Sequence, residues 1–178
     1  MNDMFLSANR PFFQSSIIMT LGPIAADAYR AFANDKLSRQ RRSIDASTFA
    51  YVYGEISCGV TWHVQVLLHG VYEHIDGAID RKLIDSVLHE AVEERAAAYE
   101  NYCAWLTANQ LALLRAVAQE GTVAEPLSKD FATAYNLPAA SSVRTALKAL
   151  CDKQMVHCGV KGYEITDRFF AIWLRGLR

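Results

Sequence analysis

The sequence lacks the long apolar runs that a membrane-spanning helix needs. Its longest apolar runs fall far short of the ~20 consecutive residues that cross a bilayer. The first ten residues, MNDMFLSANR, do not combine a basic start with a long apolar stretch, so we expect no signal peptide. The sequence therefore predicts a protein without membrane partners.

Cysteine and histidine are few, and their spacing is not that of metal or redox sites. No C-x-x-C and no H-x-x-x-H occurs, so we expect no metal ligands. No Ser-His-Asp or Cys-His set is evident, so we expect no catalytic residues. Each cysteine has apolar neighbours, which predicts buried, reduced thiols and a cytoplasmic location. The cysteines are Cys58, Cys103, Cys151 and Cys158.

Charge is low overall and unevenly distributed. Apolar residues make up 52% of the 178-residue chain, enough for a sizeable core, and the formal net charge is −1. Residues 107–178 hold nine Lys or Arg against six Asp or Glu, whereas residues 1–106 hold nine against thirteen. The C-terminal part thus carries +3 and the rest −4, which places any nucleic-acid contact in the C-terminal part.

The stretch 141–153, SSVRTALKALCDK, has the pattern of an amphipathic helix. Its apolar and polar residues fall on opposite helical faces, and Ser141 is expected to cap its start. Residues 127–135 predict a shorter helix before it, and residues 136–138 (NLP) break the chain between them. Two helices joined so tightly predict a helix-turn-helix. The apolar face carries Val143, Leu147, Leu150 and Gln154, and the opposite face carries Ser141, Thr145, Lys148 and Asp152.

The residues that follow predict a wing. Residues 155–158 and 163–166 are short β-prone runs, and the intervening GVKG can form a tight turn. Asp167 is expected to cap a final helix over 168–177. An opening helix over 106–120, with Leu111, Leu114 and Val117 inward, completes a winged helix over 106–178.

The first 105 residues predict a different organisation. Residues 16–21 (SIIMTL) are typical of a buried strand, which has no partner strand nearby. Four helices should follow, over 24–37, 46–57, 61–75 and 81–105, the last as one long helix. In the first of them Ala28, Phe32 and Leu37 are among the apolar positions. The fold class is therefore mainly α, a helical bundle over 25–105 followed by a winged helix-turn-helix domain with a small β-hairpin.

A polar and basic surface on the predicted winged helix suits double-stranded DNA. Helices of this kind fit the major groove, where Arg and Lys contact phosphates or guanine edges. The alternative is protein–protein contact or dimerisation without any nucleic-acid role. The basic loop Arg39, Arg41 and Arg42 is expected to be solvated. The candidate DNA-binding residues are Lys129, Ser141, Ser142, Arg144, Thr145, Lys148 and Lys161.

The order of motifs resembles the C-terminal part of archaeal-type AAA+/STAND ATPases. The motifs are RPFF, a strand ending in L-x-P-I, GVTWHVQ, LTANQLALLRAVAQEG, SSVRTALKAL and YEITDRFFAIWL. In that family a P-loop nucleotide-binding domain precedes a helical lid and a winged helix. The resemblance implies that residues 1–24 are a remnant of the ATPase core and that residues 25–105 are the lid.

The catalytic part of such an ATPase is missing from this sequence. No G-x-x-x-x-G-K-[ST] occurs, and no apolar strand ends in paired acidic residues. We therefore expect a truncated relative that is not an enzyme and holds no cofactor of its own, although the family binds ATP and Mg²⁺. By resemblance, Gly59 and Thr61 lie where the lid approaches the nucleotide, and Arg10 lies near a γ-phosphate-sensing arginine. Helix capping at Gly59 and Thr61, and a plain loop at Arg10, are the favoured alternatives.

Overall fold

The computed structural model describes residues 22–74 and 77–176. Two of the expected features, the strand over 16–21 and Arg10, lie outside these ranges, as does nearly all of the remnant 1–24. Helices and one hairpin make up the described chain, so the mainly α fold class is confirmed. The elements are α1 (Ala26–Ser38), α2 (Ala46–Ala50), a π-helical turn (Tyr51–Ile56), α3 (Thr61–Glu73), α4 (Arg81–Glu93), α5 (Ala96–Ala104), α6 (Ala108–Glu120), α7 (Lys129–Ala134), α8 (Ala140–Asp152), β1 (Val156–Cys158), β2 (Tyr163–Ile165) and α9 (Arg168–Gly176).

The prediction of one long helix over 81–105 is wrong. The helix is interrupted by a turn at Glu94 and Arg95, which separates α4 from α5. In a continuous helix the Arg95 N–H would bond to the Ala91 carbonyl. Here the Ala91 carbonyl accepts a hydrogen bond from the Arg95 guanidinium instead. The backbone N–H of Arg95 bonds to Val92 O at 3.1 Å. The side chain thus replaces a backbone bond and lets the helix turn.

Helix α1 is amphipathic as expected and buries Leu37, but two of its expected apolar positions, Ala28 and Phe32, are exposed. Tyr29, Ala33 and Leu37 are buried, and their four-residue spacing puts them on one side of the helix. Phe32 lies beside that face and is 56% exposed. The apolar positions were read correctly as helical, but Phe32 does not join the core.

The cysteine prediction is also wrong on burial. All four thiols are free, but Cys58 and Cys158 are exposed, and Cys103 and Cys151 are half-buried. Cys58 lies at the end of the π-helical turn with φ of +47°, and Cys158 ends the outer strand of the hairpin. Apolar neighbours in sequence therefore did not bury these side chains.

Helix α9 packs against both the helical part and the winged helix. Helix α9 packs against α6 and β2 of the winged helix and against α4 and α5 of the helical part. It is the final helix that the sequence predicts after Asp167, and it buries Phe169, Phe170, Trp173 and Leu174. The division of the chain at 24/25 and 105/106 remains a prediction.

Candidate nucleic-acid interface

Helix α8 has one buried face and one exposed face. Four apolar side chains pack inward, mainly against α6. On the other side Ser141, Arg144, Thr145 and Lys148 are exposed, and Ser142 is half-buried. The polar face is therefore exposed, which is the amphipathic arrangement that the sequence predicted. The inward residues are Val143, Ala146, Leu147 and Leu150.

The start of α8 differs from the prediction. The N-cap is Ala139, which offers no side-chain hydrogen bond, and Ser141 lies inside the first turn. The Ser142 N–H and the Val143 N–H both bond to Ala139 O instead. Ser141 keeps its hydroxyl exposed, while its carbonyl accepts the Thr145 hydroxyl at 3.0 Å.

The turn before α8 holds the two helices of the motif in place. Asn136 takes a positive φ of +49°, and the Leu137 N–H bonds back to Ala132 O at 2.8 Å. Ser128 caps α7 through the Phe131 N–H, and Lys129 is the exposed first residue of that helix. The helix-turn-helix predicted from the sequence is therefore confirmed.

The wing is anchored by an isolated backbone bridge that the sequence did not predict. Strands β1 and β2 pair antiparallel with Val156 opposite Ile165, and Val123 forms a further bridge to Tyr163. Gly162 has φ of +144°, and a Cβ there would lie 2.4 Å from Val123 O. Only glycine fits this close approach of two backbones. The tip beyond it exposes Lys161.

The basic residues of this surface have no acidic partners in the part of the chain that the structure describes. None of Lys129, Arg144, Lys148 and Lys161 lies within 4.0 Å of a carboxylate there. Their charges are therefore available to the phosphates of DNA, and most protein–DNA hydrogen bonds are made to the phosphate and sugar groups.

A shallow cleft joins the start of α8 to the start of α6. Its volume is about 350 Å³, and its walls include Ser141, Ser142 and Thr145. Three further polar residues complete it. Two of them, Thr107 and Gln110, form the capping box of α6, in which each side chain bonds to the backbone of the other residue. A T-x-x-Q sequence before an apolar run is a signal from which these two could have been predicted. The three residues are Thr107, Asn109 and Gln110.

The residues expected near a nucleotide lie at a helix junction. Gly59 has φ of +74°, and its N–H bonds to Tyr53 O at 2.8 Å. Thr61 begins α3, and its carbonyl accepts the Tyr29 hydroxyl at 3.4 Å. Their contacts are those of a chain connection between the π-helical turn and α3.

A polar cluster between the helical part and the winged helix was not predicted. His63 of α3 is 3% exposed, and its Nε2 lies 3.2 Å from Asp167 Oδ1. The Tyr99 hydroxyl donates to Asp167 Oδ2 at 3.3 Å, and Asp167 caps α9 as the sequence predicted. Trp62 and Phe169 lie against the imidazole, with ring centres 5.0 and 4.8 Å away.

The pKa of Asp167 reflects this surrounding. Burial raises the pKa, but the hydrogen bonds from His63 and from the Phe170 and Phe169 N–H groups outweigh it and hold the pKa below its ordinary 3.8. Burial together with the negative Asp167 raises the pKa of Tyr99, so its hydroxyl stays protonated and donates. The carboxylate is thus the acceptor of the cluster.

Residues 22–74 and 77–176 contain no group of three or more His, Cys, Asp or Glu side chains placed to hold a metal. None of the helices in those ranges has both the length and the apolar character needed to cross a membrane.

The comparisons with known proteins support the C-terminal fold. Residues 97–176 match a family model described as a probable winged helix domain. This stretch begins within α5 and includes the helix-turn-helix, the wing and α9. No curated protein and no solved structure matches the chain. The helix-turn-helix, the hairpin and the family match together support a winged helix fold for residues 97–176.

Proposed function

We propose that the winged helix domain binds double-stranded DNA through the exposed face of α8. The observation that carries this proposal is the division of α8 into a packed apolar face and an exposed polar face, on which Arg144 and Lys148 have no carboxylate within 4.0 Å among the described residues. A helix of this width fits the major groove, and its outward side chains then meet base edges and phosphates.

The residues of this surface divide into two roles. Arg144 and Lys148 lie one helical turn apart and serve phosphates or guanine edges. Ser141, Ser142 and Thr145 offer hydroxyls close to the cleft at the start of α6. Lys161 at the wing and Lys129 at the start of α7 contact adjacent phosphates, which position the domain without specifying sequence.

The modest positive charge predicts weak, salt-sensitive binding. Binding of a labelled duplex, measured by fluorescence anisotropy, should weaken as salt rises from about 50 to about 200 mM. The logarithm of the association constant should fall linearly with the logarithm of the salt concentration, with a slope of about −0.9 for each phosphate neutralised. Arg144→Ala with Lys148→Ala should abolish binding. Lys82→Ala with Arg115→Ala, which removes two exposed cations from other helices, should leave most of it. Absence of binding at low salt would refute the proposal.

We further propose that the chain is a non-catalytic module related to AAA+/STAND ATPases. The order of its motifs supports this origin, and the lack of a Walker A sequence supports the absence of catalysis. ATP and Mg²⁺ would then belong to a nucleotide-binding core that this sequence does not contain. Phosphate release from ATP by the purified chain, above the background of a mock preparation, would contradict it.

The alternative function is contact with an ATPase core, or dimerisation, without any nucleic-acid role. Trp62, Tyr102 and Trp105 are 48%, 50% and 81% exposed, and exposed aromatic side chains are enriched at protein interfaces. Light scattering over a range of protein concentrations tests dimerisation. A mass that stays at one chain throughout, together with DNA binding that depends on Arg144 and Lys148, would reject this alternative.

A further inference from the structure

A second surface lies in the helical part, away from the wing. Helices α1 and α3 run side by side in the same direction, as shown by Tyr29 bonding to Thr61 O near their starts and Gln40 bonding to Tyr72 O near their ends. Between them lies a cleft of about 290 Å³ with walls that include Ala33, Leu37 and Leu68. Its surface is mostly apolar, so water is a poor occupant.

Two aromatic side chains remain exposed at this cleft. Phe32 is 56% exposed and Tyr72 is 39% exposed, although buried positions lie next to both in sequence. Exposed apolar surface beside a concave site is typical of a place where a partner inserts a side chain. Lys36 Nζ lies 5.1 Å from the centre of the Phe32 ring and covers one side of it.

The cleft is basic at one end. Lys36 is paired with Asp35 at 3.1 Å, so this cation is locally balanced, and His69 contacts Glu73 at 3.3 Å. Arg39, which also lines the cleft, has no carboxylate within 4.0 Å among the described residues. The uncompensated charge is therefore at the end where α1 stops.

The basic loop after α1 divides into an inward part and an outward part. The Arg42 guanidinium turns inward and donates to the carbonyls of Val71 and His74 at the end of α3. Arg39 and Arg41 are exposed, and Arg41 takes a positive φ of +57°. Arg42 thus closes the end of α3, while Arg39 leaves a positive charge at the cleft and Arg41 carries a second one in the same loop.

We propose that this cleft docks an amphipathic helix of a partner protein. Its apolar side chains would fill the cleft beside Phe32 and Tyr72, and its carboxylates would lie at the end next to Arg39 and Arg41. Helices commonly bind in apolar grooves through side chains one turn apart, and charge at one end of the groove fixes their direction. This surface shares no residue with the proposed DNA-binding surface, so the two proposals stand or fall separately.

A pair of designed peptides tests the proposal on the full chain. Each has about 18 residues, long enough to form a helix on binding, with leucines at i, i+3, i+4 and i+7. One ends in three glutamates and the other in three lysines at the same positions. Binding is followed by anisotropy of a fluorescent label, and circular dichroism verifies that each protein variant keeps its helix content.

The glutamate peptide should bind the native chain more tightly than the lysine peptide. Phe32→Glu should weaken binding of the glutamate peptide by roughly tenfold or more, since an aromatic anchor is lost from the interface. Arg39→Glu with Arg41→Glu should reverse the preference in favour of the lysine peptide. The control Lys82→Glu changes an exposed charge outside the cleft and should preserve the preference.

Three results would overturn the proposal. The first is failure of the glutamate peptide to bind, and the second is equal binding of both peptides to the native chain. The third is a chain that doubles its mass in light scattering and becomes a monomer with Phe32→Glu, which would assign the cleft to a second copy of the chain.

Discussion

His63 Nε2 and Asp167 Oδ1 lie 3.2 Å apart, although 104 residues separate them in the chain. The same carboxylate accepts the Tyr99 hydroxyl and two N–H groups at the start of α9. One side chain therefore bonds to α3, α5 and α9 together. The helical part and the winged helix are joined here by hydrogen bonds as well as by apolar packing.

Replacing Asp167 should destabilise the whole chain. Asp167→Ala removes a helix cap and the acceptor for His63 and Tyr99, a loss of about 2–3 kcal/mol in the free energy of unfolding. Urea denaturation followed by circular dichroism measures it. Asp152→Ala removes an exposed carboxylate at the end of α8 and serves as the matched control, for which no loss is expected. Equal stability of the two variants would show that the cluster contributes little.

Acid should weaken the native chain partly through this carboxylate. The pKa of folded Asp167 lies below its ordinary 3.8, so its contribution is fully present above that value and is lost as the pH falls through the lowered pKa. Asp167→Asn should therefore show a shallower decline of unfolding free energy below about pH 4 than the native chain. Urea titrations at a series of acidic pH values provide the comparison, and identical slopes would contradict the assignment.

Adding one methyl group at Gly162 should disrupt the wing. Gly162→Ala places a Cβ against the Val123 carbonyl in a backbone conformation that alanine rarely adopts, so we expect a loss of about 2 kcal/mol or more. Thermal or urea unfolding measures the change. Gly54 has open space around it and an ordinary φ, so Gly54→Ala should be neutral or slightly stabilising.

The four thiols should react in two groups. Cys58 and Cys158 are exposed, whereas burial raises the pKa of half-buried Cys103 and of half-buried Cys151. The thiolate is the reactive form, so Ellman's reagent near neutral pH should show two fast and two slow cysteines. Cys58→Ser with Cys158→Ser should remove the fast phase. A fast phase that survives this double substitution would contradict the exposures described above.

Local signals in the sequence were sufficient for the helix-turn-helix. The apolar spacing of α8, the break at Asn136 and the glycine-flanked turn of the hairpin act over a few residues, and the structure has each of them. The cap at Asp167 was predicted for the same reason, because a cap bonds to the N–H groups two and three residues further on.

Features that depend on distant residues were missed. The Val123 bridge to Tyr163 joins segments forty residues apart, and the His63 bond to Asp167 joins different parts of the fold. The break after α4 is a local feature that was missed as well, because apolar spacing does not reveal that the Arg95 side chain takes the place of a backbone donor. Burial of the cysteines and of Phe32 depended on how helices pack, which local apolar content does not determine.

The position of α9 bears on how this protein is made in the cell. The helices that α9 packs against, α4 to α6, leave the ribosome before α9 does. The surface that each of them buries against α9 therefore stays uncovered until Phe169, Phe170 and Trp173 have been synthesised. Domains generally fold as units during synthesis. Here the core that α4, α5 and α6 share with α9 stays incomplete until α9 emerges, and during that interval its apolar side chains are exposed to water.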